Sequence, residues 1–110
     1  MIRLVRTVHT NDVQAAMNVA SQVVDHFKGK HSQKSIQVFA DRFAAGGRRL
    51  HWHIDFEDLA HFEKWQADIA GDEKYRSIIE QAQGSGTFVP NSMSDVIGLE
   101  IGAAAQLALH

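Results

Sequence analysis

Between Arg48 and Phe56 the chain reads RRLHWHIDF, and His51, His53 and Asp55 alternate with Leu50, Trp52, Ile54 and Phe56. Successive side chains of a strand point to opposite faces. As a strand, this segment carries a large apolar row on one face and two imidazoles and a carboxylate on the other. The imidazoles would then stand roughly 7 Å apart, at about 3.3 Å of rise per residue. Imidazole titrates near neutral pH and serves as a general acid or base. Histidine nitrogens with oxygens from Asp41, Asp55 or Glu100, or with His9, also have the chemistry of a metal site. A third reading gives the row no chemistry, only a polar pocket lining or hydrogen bonding across an interface. The residue types leave all three open. Acid–base work by His51 and His53 is carried forward, with no metal and no cofactor expected.

The flanking elements must position that row. Ile2 to His9 reads as a first strand, with Ile2, Leu4 and Val8 on one face, Arg6 interrupting them, and Arg3, Val5, Thr7 and His9 on the other. Asn11 reads as a helix N-cap with Gln14 as its reciprocal partner. Val13, Ala16, Met17, Ala20, Val23, Val24 and Phe27 follow at helical spacing, and Gly29 ends the stripe. Lys34 to Phe43 reads as a second strand, with Ile36, Val38 and Ala40 opposing Gln37, Phe39, Asp41 and Phe43. Ala44-Ala45-Gly46-Gly47 supplies the turn of a hairpin into the His-bearing strand. A second helix spans Asp55 or Glu57 to Ala70, with Leu59, Phe62, Trp65, Gln66 and Ile69 inward. Gly71 breaks it, and Asp72 caps a further helical segment with Tyr75, Ile78, Ile79 and Ala82 inward. Met93 to Ile101 reads as the last strand, with Ile97, Leu99 and Ile101 on the apolar side and Val96 and Glu100 on the other.

Bulk properties narrow the function classes. A chain of 110 residues suits one domain, Met1 to Ile101, with residues 102–110 as a tail. Apolar residues make up 45%, enough for a packed core. The net charge is −2 with no Lys/Arg stripe, so nucleic acid is not an expected partner. There is no cysteine, which excludes disulfides and thiolate metal sites. The first residues, MIRLVRTVHT, do not read as a signal peptide, and no apolar run reaches the roughly 18 residues of a membrane helix. The expectation is a cytoplasmic protein without a membrane partner. His26, His31 and His61 read as solvated, and Trp52 and Trp65 as core.

The order β-α-β-β-α-β defines an α+β, ferredoxin-like arrangement, a four-stranded antiparallel sheet with its helices on one face. The other face would display Val5, Thr7 and His9; Gln37, Phe39, Asp41 and Phe43; His51, His53 and Asp55; and Val96 and Glu100. Val5, Phe39, Phe43 and Val96 are too apolar for a wetted face and suit one covered by a second copy of the chain.

This order, the Gly-turned hairpin, the broken second helix and the half-polar open face resemble the dimeric α+β barrel superfamily, over Met1 to about Ile101. Within it the likeness is to antibiotic-biosynthesis-monooxygenase and NIPSNAP-type domains. The resemblance implies a homodimer whose two sheets face each other around a small-molecule cavity. His51 and His53 would be its catalytic groups, and His9, Phe39, Asp41, Asp55, Val96 and Glu100 its ligand-binding lining. The haem-degrading branch of that superfamily uses an Asn on the first strand. This chain has Thr7 and His9 there, so that activity is not carried over. What is implied is a small-molecule-binding homodimer, either a cofactor-independent monooxygenase-like or isomerase-like enzyme, or a non-catalytic ligand-binding or interaction module.

Overall fold

A computed structural model describes residues 1–41 and 48–101. Its central element is the His-bearing strand, β3 (Arg49–Phe56), which pairs antiparallel with β1 (Ile2–His9) on one side and β2 (Ser35–Ala40) on the other. β4 (Ser94–Leu99) pairs antiparallel with the far edge of β1, giving the order β2-β3-β1-β4. Three helices complete the chain: α1 (Val13–Phe27), α2 (Leu59–Ala70) and α3 (Glu73–Gly84). This is the ferredoxin-like α+β arrangement read from the sequence, with the second helix split in two. The turn residues Ala44 to Gly47, Phe43 and the tail 102–110 lie outside the described residues.

The register follows from apolar matching. Ile54 lies opposite Leu4 on β1 and Ile36 on β2, and Phe56 lies opposite Ile2. Leu50, Ile54 and Phe56 are buried beneath the helices with Leu4 and Ile2. Burying each such side chain contributes about 1.5–3 kcal/mol, so a one-residue slip, which exchanges the two faces, is strongly disfavoured. The helices meet this face through an aromatic cluster. Phe56 lies 5.2 Å from Phe62 and 5.3 Å from Trp65, and Phe27 packs 5.3 Å from Tyr75, between ring centroids.

Several local expectations are corrected. α1 is capped by Asp12, whose carboxylate accepts from the Ala15 N–H at 3.1 Å, rather than by Asn11. Asn11 instead donates from its amide to the Gly86 carbonyl at 3.2 Å, and the Asn11 N–H donates to Thr87 O, fastening the end of β1 to the segment after α3. Met17 and Leu59, expected inward, are about half exposed, whereas Val19 is buried. α2 starts only after its Asp58 cap, because Asp55 and Phe56 are still paired in β3. Ile97, Leu99 and Ile101 were expected to meet the helices and are 51%, 72% and 58% exposed. α1 packs on β2 and α3, and α2 on β3, which leaves an open groove between α2 and the β4 residues Asp95 and Ile97.

His26 and His31 were read as solvated, yet both converge on Asp72. The Nε2 atoms of His26 and His31 each lie 2.8 Å from Asp72 Oδ2, and the Tyr75 N–H donates to Oδ1 at 3.0 Å. All three side chains are largely buried. The carboxylate therefore caps α3 and binds it to the end of α1 and the loop that follows. Burial alone would raise the Asp72 pKa, but the Tyr75 N–H and the two imidazoles outweigh it and hold the carboxyl far below its ordinary range.

Removing this clamp by Asp72→Ala is expected to cost at least about 2 kcal/mol, from a lost cap and two charge-assisted hydrogen bonds, measured by urea unfolding at pH 7. The pH dependence has a definite sign. A carboxyl held below its unfolded pKa contributes stability that is complete above the unfolded value and is lost as pH falls below about 4. Asp72→Asn should therefore flatten the loss of stability between about pH 5 and pH 3 relative to the parent chain.

Candidate functional site

The face turned away from the helices holds the row His51, His53 and Asp55. β1 and β2 bring the partners of His51 alongside it: Thr7 and Phe39 are its cross-strand neighbours. The Thr7 hydroxyl lies 3.1 Å from His51 Nδ1, and His51 Nε2 lies 2.7 Å from Asp41 Oδ1. The carboxylate only accepts, so Nε2 carries the proton. In the neutral ring Nδ1 then accepts from Thr7. Asp41 Oδ2 is held by Arg49 Nε at 2.6 Å. The Arg49 guanidinium, and then His51, keep the Asp41 carboxyl below its usual range. The result is a continuous chain, Thr7–His51–Asp41–Arg49, in which the ring is fixed at both nitrogens. Its chemistry is that of an oriented imidazole able to gain or relay a proton through Thr7. His53 lies beside it with the edge of Phe39 at 5.1 Å.

The other residues singled out on this face divide. Asp55 does not turn to the imidazoles. Arg3 grips it with two hydrogen bonds, of 2.7 and 3.0 Å, and Ser35 adds a third at 3.3 Å. Arg3 accordingly holds the Asp55 carboxyl below its ordinary range, against the effect of burial. Glu100 lies past the end of β4, with its carboxylate 3.7 Å from the Met1 amino group, away from His51. His9 ends β1 opposite Arg49, its backbone N–H donating to Ser92 Oγ at 3.0 Å. Val96 pairs with Val5 and is 66% exposed. Among the described residues no three His, Asp or Glu side chains form a group able to hold a metal ion.

The sheet's other side contains what the sequence reading missed. Between β1, β3 and the helices lies a cavity of about 490 Å³. Its walls include Trp52, Phe27, Trp65, Tyr75 and Ile79, and its rim is the loop Phe88–Met93. Well-packed interiors leave few voids larger than a water, whereas ligand sites run to roughly 300–1,000 Å³. A groove of about 300 Å³ between α2 and β4 adjoins it, and Arg6, Trp65 and Tyr75 line both. Burial raises the Tyr75 hydroxyl pKa, with Arg6 opposing. The one visible signal for this site was Arg6, which interrupts the apolar row of β1. The wall residues themselves read as ordinary core.

Fold and site together define a ferredoxin-like α+β domain with an ionisable open face and an apolar cavity beneath its helices. No family model matches the sequence, and no curated protein matches it either. Solved structures do share the fold. An antibiotic biosynthesis monooxygenase superposes with a TM-score of 0.67 at 9% identity, over 93% of this chain and 100% of that one. An uncharacterized NIPSNAP domain protein from Burkholderia xenovorans gives 0.69 at 8% identity, over 94% and 95%. A dimeric protein of unknown function with a ferredoxin-like fold, from Bacteroides fragilis, gives 0.64 at 11% identity, over 90% and 95%. The resemblance read from the sequence thus holds at the level of the fold. No helix among the described residues is long and apolar enough to cross a membrane.

If Arg49 is what holds the Asp41 carboxyl low, Arg49→Ala should move its titration toward the ordinary carboxylate range. Carboxyl-carbon NMR measures this directly, and an unchanged Asp41 curve would disprove the pairing.

Proposed function

We propose that this chain is a homodimeric small-molecule-binding protein whose ligand enters the cavity between helices and sheet. The single observation that carries the reading is the cavity itself: about 490 Å³, walled by aromatic and aliphatic side chains, with a few polar groups at one side. The ligand class that fits such walls is a mono- or bicyclic aromatic or alicyclic molecule. Filling the space by Ile79→Trp is expected to abolish binding of any aromatic compound that raises the melting temperature of the parent protein, since only a bound ligand shifts it by mass action. A ligand whose shift survives in Ile79→Trp binds elsewhere, and the cavity is then not the site.

The dimer rests on the open face, where Phe39 is 50% and Val96 66% exposed beside Val5. Such a row is costly to leave in water and suits an isologous contact between two copies. The Bacteroides fragilis protein of the same fold is itself dimeric. Sedimentation is expected to show a dimer at micromolar concentration, and Val96→Glu, which places a charge in that contact, a monomer. A monomeric parent protein would remove this part of the reading.

The Thr7–His51–Asp41–Arg49 chain favours a second reading, in which the dimer encloses a catalytic chamber. The protein would then be a cofactor-independent monooxygenase-like or isomerase-like enzyme with His51 as proton-transfer group and His53 orienting the substrate. His9, Phe39, Asp41, Asp55, Val96 and Glu100 would form the walls and rim of that chamber. Turnover unaffected by His51→Ala and His53→Ala would exclude it.

A further inference from the structure

Charge is distributed very unevenly around the cavity. Of the side chains that line it, Arg6 alone is charged. Its carboxylate partner Asp95 borders only the adjoining groove. Arg6 stands on the helix-facing row of β1 with a side chain 24% exposed. Asp95 takes its Nε and one terminal nitrogen at 2.8 and 3.0 Å. A guanidinium has five N–H donors, and this fork engages two of them; the Tyr75 hydroxyl, whose residue lines the same cavity, is a further neighbour of the guanidinium. Arg6 is also the partition between cavity and groove, since it borders both.

The walls beyond Arg6 are aromatic and aliphatic, with Trp52, Phe27, Trp65, Tyr75 and Ile79 among them. Among the described residues no carboxylate lines the cavity, and Asp95, which offsets the Arg6 charge, lines only the groove. A cationic ligand would find no opposite charge in the cavity. A neutral hydrocarbon would leave Arg6 unused. An apolar body with one anionic oxygen would bury its ring against the walls and compete with Asp95 for the guanidinium.

We infer that the cavity takes a small aromatic or alicyclic anion, its ring among Trp52, Phe27 and Phe88 and its carboxylate or enolate oxygen on the Arg6 guanidinium. This rests on the cavity reading above and deepens it. Asp95, with a side chain 36% exposed, keeps access to water. It holds Arg6 when the cavity has no anion and yields it when one enters, so the ion pair is the resting state of a charge exchange.

The test uses a matched pair of probes, 1-naphthoate and its neutral isostere 1-naphthamide, with calorimetric titration of the full chain. The parent protein is expected to bind the anion at least about tenfold more tightly than the amide, as one charge-assisted hydrogen bond implies. Arg6→Met is expected to erase that preference while still binding the amide. Asp95→Asn, which frees Arg6 without removing it, should bind the anion at least as tightly as the parent. Equal binding of the two probes by the parent, or a preference that persists in Arg6→Met, overturns the anion assignment and leaves the cavity reading standing. Weaker anion binding in Asp95→Asn overturns the exchange, because Asp95 would then be holding Arg6 in place for the ligand. Binding of neither probe, or binding undisturbed in Ile79→Trp, overturns the cavity reading and this inference with it.

Discussion

The two-sided character of β3 governs the rest of the molecule. It lies between β1 and β2, so the register of each outer partner is set by the apolar row that all three strands must bury together. Ile54 opposes an apolar residue on each side, and Phe56 seats the aromatic cluster of α2. The alternation that satisfies this row obliges His51, His53 and Asp55 to face the other way. Burial of the core and display of the imidazoles are therefore one constraint, because a strand has only two sides.

The cavity depends on how the helices are held above that row. Gly71 separates α2 from α3, and Asp72 begins α3 while drawing in His26 from the end of α1 and His31 from the loop beyond. This buried clamp is polar but closed: the carboxylate receives two imidazoles and a backbone N–H, so burial does not leave it unpaired. It fixes the start of α3 against α1, about one turn before Tyr75 and about two before Ile79, both of which line the cavity. The space over Trp52 is bordered by Val23 and Phe27 of α1, Trp65 of α2, Tyr75, Ile79 and Gln83 of α3, and the Phe88–Met93 loop. Asn91 lies in the left-handed region there, at φ 59°, a conformation its short amide side chain tolerates better than most.

The architecture was legible because it rests on periodicity. Alternation from Ile2 to His9 and from Arg49 to Phe56, and the helical stripe ending at Phe27, are local patterns that burial reads directly. What was not legible depends on distances between elements. Whether Ile97 and Leu99 are covered is decided by how far α2 reaches across the sheet, which no local pattern contains. His26 and His31 look like surface residues until a carboxylate more than 40 positions away closes on them. On the open face, parity placed His51 and Asp41 together, but it could not show that Arg3 would claim Asp55 or that Glu100 would sit by the amino terminus. A cavity is harder still, since it is the space that packed faces fail to fill. Each wall residue, Trp52 and Trp65 above all, has the same signature as core.

Similarity of fold at 8–11% identity means that the backbone plan has been kept while nearly every side chain has changed. Such a plan fixes no reaction. The choice between the two sides of this sheet must come from the residues of this chain. On the open side the ionisable groups are largely spoken for: Asp55 by Arg3, Asp41 by Arg49 and His51, and His51 itself at both nitrogens. On the helix side the cavity has one charged lining group, Arg6, whose guanidinium gives two of its five N–H donors to Asp95. Groups that already satisfy one another stabilise a surface, and groups left wanting recognise a ligand. The contrast lies in how far each set of groups is already paired, and it makes the apolar cavity, rather than the histidine row, the first place to test for a ligand.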